Sequence, residues 1–202
     1  MIKLNTQLPS HFYLAFSGGV DSLAVAHFLK RGNKNFTLLH FDHGCEYSDN
    51  IRHEVEHRAQ DLGLTLITSK ISSKTNSKKS LEAHWRDERY DFFNSVASVE
   101  TPVITCHHLD DAVESWVWSS LHGKPHIIKP SVSGGTILRP FLMTEKEEFE
   151  RYAKRNGLRP VDDPFNRDYD LTRNYIRSNI MPHAYAVNPG LKKVILKKYL
   201  EL

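Results

Sequence analysis

The 202-residue sequence predicts an α/β fold, a doubly wound parallel sheet with helices on both faces and a short helical appendage at the C-terminal end. Two observations carry this. Short apolar runs alternate with longer stretches of helical apolar spacing over the first two-thirds of the chain. Strands joined through helices run parallel, because parallel neighbours need a crossover connection. The last third loses the alternation, where Pro160, Pro164, Pro182 and Pro189 break it into loops and short helices.

The elements follow in order. Phe12-Tyr13-Leu14-Ala15-Phe16 has the pattern of a short buried strand, and Val20 to Leu29 follows with helical spacing. Phe36 to Phe41 is a second strand, followed by a polar helix from Ser48 to Leu62. Leu64 to Ile67 is a third strand, Leu81 to Val96 a helix, Val103 to Thr105 a fourth strand and Leu109 to Leu121 another helix. Ser133-Gly134-Gly135 marks a turn, with Ile137-Leu138 extended beyond it. Thr144 and Glu147 have the spacing of a capping box, opening a helix that Gly157 stops. Residues 1–143 are therefore expected to form the core and 144–202 a helical extension of the same domain. Ser72 to Ser80, polar and lysine-rich, is expected to be a surface loop.

Composition bounds the function only loosely. Hydrophobic residues make up 40% and charged residues 25%, the balance of an ordinary globular chain. A formal net charge of +3 permits a nucleic-acid partner without requiring one. Cys45 and Cys106 stand far apart and in no paired motif, which fits a reduced, cytoplasmic protein. No signal peptide and no membrane-length apolar run is visible, so no membrane association is expected.

Ser17-Gly18-Gly19-Val20-Asp21-Ser22, between the first strand and first helix, is the most informative stretch. Two glycines let the backbone turn tightly and approach a phosphate, while a helix N-terminus presents N–H groups and positive dipole to it. Ser17 and Ser22 add hydroxyls. Asp21 is out of place in a pure anion site unless a cation stands between it and the phosphates, and Mg²⁺ is the simplest choice. The bland alternative is a tight strand-to-helix turn with no ligand. Asp111 and Glu114, three apart at a helix start, share a face and can jointly hold a cation. Arg86 and Arg89 also share a face, suiting a phosphate or carboxylate, with surface ion pairing as the alternative. His53 and His57 have metal-ligand spacing but no third partner. In the tail, Lys192, Lys193, Lys197 and Lys198 are spaced along one side of a helix whose other side holds Val194, Ile195 and Leu200. They are either a solvated face or a set of nucleic-acid phosphate contacts.

The chain lacks the Walker lysine loop and the dinucleotide glycine fingerprint. SGGVDS instead resembles the pyrophosphate loop of the N-type ATP pyrophosphatases. Four further stretches resemble the tRNA(Ile)-lysidine synthetases within that group: His40-Phe41-Asp42-His43-Gly44; Leu81 to Tyr90, with Trp85 where alanine is usual; Thr105 to Ser115; and Asp163-Pro164-Phe165-Asn166 with Thr172 to Arg177 and Pro182. The matches run in order from Tyr13 to Pro182. The resemblance implies adenylation of C2 of the wobble cytidine in a CAU-anticodon isoleucine tRNA, then replacement of AMP by free L-lysine. It assigns ATP to Ser17, Gly18, Gly19, Val20, Asp21, Ser22 and His43, with Mg²⁺ on Asp21. It assigns catalysis to Asp21, Arg86, Asp111 and Glu114, and the lysine ammonium to Asp111 and Glu114 with Asp21 nearby. Arg173, Asn174 and Arg177 become tRNA contacts. The chain departs from the family at Leu121-His122-Gly123-Lys124-Pro125, where an Arg-Gly-Ser/Thr-Gly loop is usual, and in lacking the C-terminal domains with which larger members grip tRNA. Rival readings are a tRNA thiolase of the same ATP group, another adenylating enzyme and a non-catalytic ATP-binding module. Oligomeric state is left open, a homodimer included.

Overall fold

A computed structural model describes residues 1–45, 47–71, 80–162 and 172–201. Strands β1 (His11–Ala15), β2 (Asn35–Asp42), β3 (Leu66–Lys70), β4 (Val103–Ile104), β5 (Ser131–Val132) and β6 (Ile137–Leu138) form one sheet in the order β3-β2-β1-β4-β6-β5. Every pairing is parallel except that of β5 with β6. Helices α1 (Val20–Arg31), α2 (Ser48–Asp61), α3 (Leu81–Val96) and α4 (Leu109–Leu121) alternate with the strands. α5 (Lys146–Arg155) follows the sheet. α6 (Thr172–Tyr175) runs through a π-helical turn at Ile176–Ile180 into α7 (Met181–Val187), and α8 (Leu191–Leu200) comes last.

The period-two alternation of the strands divides the core into two faces. Phe12, Leu14, Phe36, Leu38 and Ile104 point to one side, where α1, α2 and α5 cover them through Leu23, Val25, Val55, Ala59, Phe149 and Ala153. Leu39, Val103 and Ile137 point to the other, against Phe93 of α3. A separate apolar cluster joins α4 to α7 and α8 through Leu109, Val113, Met181, Leu191 and Ile195. The order of strands reverses between β1 and β4, and the crevice beyond the carboxyl ends of strands at such a point is where open α/β sheets place their ligands.

The structure corrects several expectations. β3 lies at Leu66–Lys70 rather than Leu64–Ile67, and β5 was not foreseen. The Thr144–Glu147 capping box does not form: Thr144 Oγ1 accepts from Lys3 N and donates to Lys3 O, both at 2.9 Å, and α5 begins at Lys146. α8 buries Leu191, Ile195 and Tyr199, whereas Val194 and Leu200 are exposed. Of the loop expected at Ser72 to Ser80, only Ser80 is described, as the N-cap of α3; the rest and the Asp163–Asn166 motif lie outside the described residues.

Candidate active site

The loop after β1 is held open by its own backbone. Gly18 has φ +77°, the left-handed region, and a Cβ there would meet Val161 Cγ2 at 2.6 Å. Its carbonyl accepts from Val161 N at 3.0 Å, pinning the loop to the segment after α5. Gly19 caps α1 in an extended conformation without a side-chain cap, so the helix's first-turn N–H groups face outward from the loop. Ser22 is buried; its Oγ accepts from Ser17 N at 3.2 Å and donates to Gly19 O at 3.1 Å. Its hydroxyl therefore shapes the loop, while Ser17 lies exposed at the rim and Val20 is half-buried.

Asp21, in the first turn of α1, turns toward the start of α4. Its Oδ1 is buried without a hydrogen-bond partner among the described residues, and its Oδ2 lies 3.6 Å from His108 Nε2. His108 is the N-cap of α4: its Nδ1 accepts from Asp111 N at 3.3 Å, and Asp111 Oδ2 accepts from His108 N at 3.0 Å. That cap leaves Nε2 as the protonated nitrogen, between the carboxylates of Asp21 and Asp111, the latter at 3.5 Å. Burial alone would lower the His108 pKa, but Asp111, Asp21 and Asp110 outweigh it and the net shift is upward.

Asp111 and Glu114 are both buried and already face cations of the chain. Arg173 Nη2 donates to Asp111 Oδ1 at 2.7 Å. Arg177 Nε and Nη2 donate to the two Glu114 oxygens at 2.8 and 3.0 Å, and Nη2 also reaches Asp111 Oδ1 at 3.4 Å. Burial would raise the Asp111 pKa, yet Arg173, His108 and His107 hold it well below the usual carboxylate range. Burial likewise opposes the charge of Arg177, but Glu114 and Asp111 shift its pKa upward. Two residues expected to reach tRNA thus line the acid pair, and Asn174 stands between them in sequence on α6, half-buried.

Across the crevice, α3 carries Arg86 and Arg89. Arg86 is exposed, with its guanidinium 4.7 Å from the centroid of the Tyr90 ring. Burial, then Arg86 and Arg173, bring Arg89 down to about 10 against the pull of Tyr90, so it stays charged at neutral pH. The buried Arg139 donates to Tyr90 Oη at 2.8 Å and to Lys129 O at 2.6 Å. At the end of β2, His40 Nδ1 donates to Phe16 O at 3.1 Å and the His43 ring packs on Trp85, centroids 5.1 Å apart. Burial first, with Arg89 and His40, lowers His43 to about 4.

The tail lysines divide. Lys192 Nζ lies 2.6 Å from Asp110 Oδ1 and 3.1 Å from Glu145 Oε2, so its charge is engaged within the chain. Lys193, Lys197 and Lys198 are exposed, and Lys197 lies 3.7 Å from Glu201. Asp110 does more than start a helix, because its Oδ2 accepts from Lys146 N at 2.8 Å and caps α5. Sequence reasoning assigned no role to His108 or Arg139. Only His108 carried a signal, its place two residues before Asp110-Asp111 at a helix start. Among the described residues no group of three or more His, Cys, Asp or Glu side chains forms a metal cage, and no helix is long and apolar enough to cross a membrane.

Comparison with known proteins sets this geometry in a family. A tRNA(Ile)-lysidine synthase of Persephonella marina is 33% identical over 195 residues, covering 91% of this chain and 43% of that protein. One from Pseudomonas fluorescens is 30% identical over 185 residues, covering 86% of this chain and 41% of that protein. The chain thus spans less than half the length of these relatives. The NH3-dependent NAD synthetase of Campylobacter jejuni, solved with a nitrate ion, superposes with a TM-score of 0.55 at 16% identity, covering 96% of this chain and 86% of that one, which shows the shared fold. The model of the PP-loop domain matches residues 2–184, and the chain belongs to this family of ATP-binding domains.

Proposed function

We propose that this chain carries the catalytic chemistry of a tRNA(Ile)-lysidine synthase: the C2 oxygen of a wobble cytidine attacks the α-phosphate of ATP and pyrophosphate leaves, then the amine of L-lysine bonds to C2 and expels AMP with that oxygen. One observation carries the reading. The phosphate loop with Asp21 and the Asp111–Glu114 acid pair meet at a single crevice, joined through His108. Simple nucleotide binding needs the first of these and not the second. The relatives' tRNA and lysine substrates come to this chain as part of the same proposal.

Each element has a task. The loop backbone and the α1 N-terminus hold the phosphates, and Arg86 is placed to steady the pyrophosphate or the activated base. His43, kept neutral by burial, offers a ring edge to the nucleotide without adding charge. Asp111 and Glu114 seat the lysine ammonium, which must displace or share them with Arg173 and Arg177. Asp21 Oδ1, buried and without a hydrogen-bond partner among the described residues, fits a Mg²⁺ held by one carboxylate together with substrate phosphates and water. When bound there, such an ion would supply positive charge against the departing pyrophosphate.

The thiolase reading lacks support. Burial, then Asp21 and Asp111, push the Cys106 thiol well up, and its Sγ lies 3.8 Å from Ala15 O as a packed donor. The test is product identity. With tRNA and lysine, ATP labelled at the α-phosphate yields AMP and pyrophosphate, and Asp21→Asn loses nearly all of it. ADP and phosphate would end the proposal.

A further inference from the structure

We infer that the C-terminal end of α4 is a stacking platform for a nucleotide flanking the base that reacts; this rests on the tRNA reading above. Asp111, Glu114 and Trp118 fall at i, i+3 and i+7, so they share one face of α4. Four residues of helix rise by about 6 Å, which places Trp118 roughly one nucleotide beyond the acid pair. Trp116 and Val117 pack against the α4–α7–α8 cluster, but Trp118 does not belong to it and remains 38% exposed. His122 completes the surface: its ring stacks on Trp118 with centroids 4.5 Å apart, and its Nδ1 donates to Trp118 O at 2.8 Å.

The surrounding charge favours RNA. From Ser115 to Thr144 the chain contains no Asp or Glu, although it carries 24 of them in all. Within that stretch Leu121 to His126 are all exposed, as is Lys129, so Lys124 and Lys129 meet solvent where no carboxylate of the same segment competes. An indole with a second ring beside it accepts the face of any base, and lysines at its rim take phosphates. A second copy of the chain fits poorly. A two-fold contact would set Lys124 and Lys129 against their own copies, bringing like charges together. The platform occupies the segment where the sequence departs from the lysidine-synthetase loop.

The test measures binding of an RNA hairpin with a CAU loop at fixed salt, beside AMP and pyrophosphate release with tRNA. Trp118→Ala is expected to weaken hairpin binding on the order of tenfold, the usual loss for one stacked base. Trp118→Phe should keep most of the affinity, and Lys124→Gln with Lys129→Gln should flatten its salt dependence. Circular dichroism confirms that each variant is folded. Unchanged hairpin affinity in folded Trp118→Ala, with AMP still released by the wild type, overturns the platform and leaves the reaction standing. Affinity lost with Trp118, but no AMP from the wild type, supports the platform and overturns the reaction. A wild-type dimer that Trp118→Ala dissociates without changing hairpin affinity makes the face a self-contact and overturns the platform.

Discussion

Arg177 grips Glu114 at two points, Nε on Oε1 at 2.8 Å and Nη2 on Oε2 at 3.0 Å, whereas Arg173 holds Asp111 by a single bond of 2.7 Å. A fork matched to a carboxylate is more strongly ordered than a single contact. Arg173 is also the more exposed of the two, 47% against 37% for the side chain. The acid pair therefore has a firm cation and a loose one, and on the proposed function Arg173 is the one expected to yield to an ammonium.

That asymmetry sets the first expectation. Arg177→Ala leaves Glu114 buried without its fork and costs about 1.5–3 kcal/mol of stability. Arg173→Ala costs less, because Arg177 Nη2 and His108 Nε2 still face Asp111 at 3.4 and 3.5 Å. Urea unfolding of both variants decides it, and equal losses would contradict the assignment.

Lysine recognition is tested at the acids themselves. Asp111→Ala or Glu114→Ala raises the lysine KM, because removing one partner of a desolvated charge pair costs about 2–5 kcal/mol. A lysine KM unchanged in both variants removes the acid pair from the amine site.

The phosphate loop makes a steric prediction. Gly18→Ala forces a side chain into positive φ and against Val161, and should destabilise the protein by about 1–3 kcal/mol while weakening ATP binding. Val161→Ala in the same chain relieves the contact but not the φ, so recovery is partial. Thermal melts with and without ATP separate these contributions; full recovery would mean that only the contact matters.

Acid sensitivity follows from His43. An unfolded histidine binds its proton near pH 6.5 and His43 in the folded chain only at about 4. Between those values the unfolded state carries more protons, so stability falls as pH drops from 6.5 toward 4. His40 and His107, both lowered chiefly by burial, act in the same sense. His108, shifted upward, acts in the opposite sense, stabilising below pH 6.5 and losing that contribution as pH rises through its folded value. His43→Phe keeps a ring against Trp85 and should flatten the decline in urea midpoint between pH 7 and 4.5. An unaltered decline would relocate the effect to the other histidines.

Much of this was legible in the sequence, and what was not has physical causes. The bounds of α3 and α4 match because a polar cap residue precedes a clear apolar period in each: Ser80 accepts from Ala83 N, and His108 from Asp111 N. β3 was displaced because it is an edge strand with half-exposed residues, so its apolar pattern is faint. β5 has two residues and leaves no period to detect. Thr144 has the local signature of a cap but is taken by Lys3, distant in sequence. The Asp111–Arg173 bond spans 62 residues, and no local rule chooses between a guanidinium that turns outward to RNA and one that turns in to a carboxylate.

The tail lysines separate by the same logic. We expect Lys193→Gln, Lys197→Gln and Lys198→Gln together to reduce the salt slope of tRNA binding by up to about one per lost phosphate contact. Lys192→Gln should leave that slope alone and lower stability, since Asp110 and Glu145 hold its ammonium. A slope that changes only with Lys192 would reverse these roles.

The most direct measurement is mass spectrometry of the nucleosides of a CAU-anticodon isoleucine tRNA, after incubation with the protein, ATP, Mg²⁺ and L-lysine. The account predicts a cytidine derivative heavier by one lysine less one water, formed with AMP and absent when lysine is withheld or Asp21 is changed to Asn. Unmodified cytidine after full consumption of ATP, or a cytidine carrying sulfur in place of lysine, would contradict it.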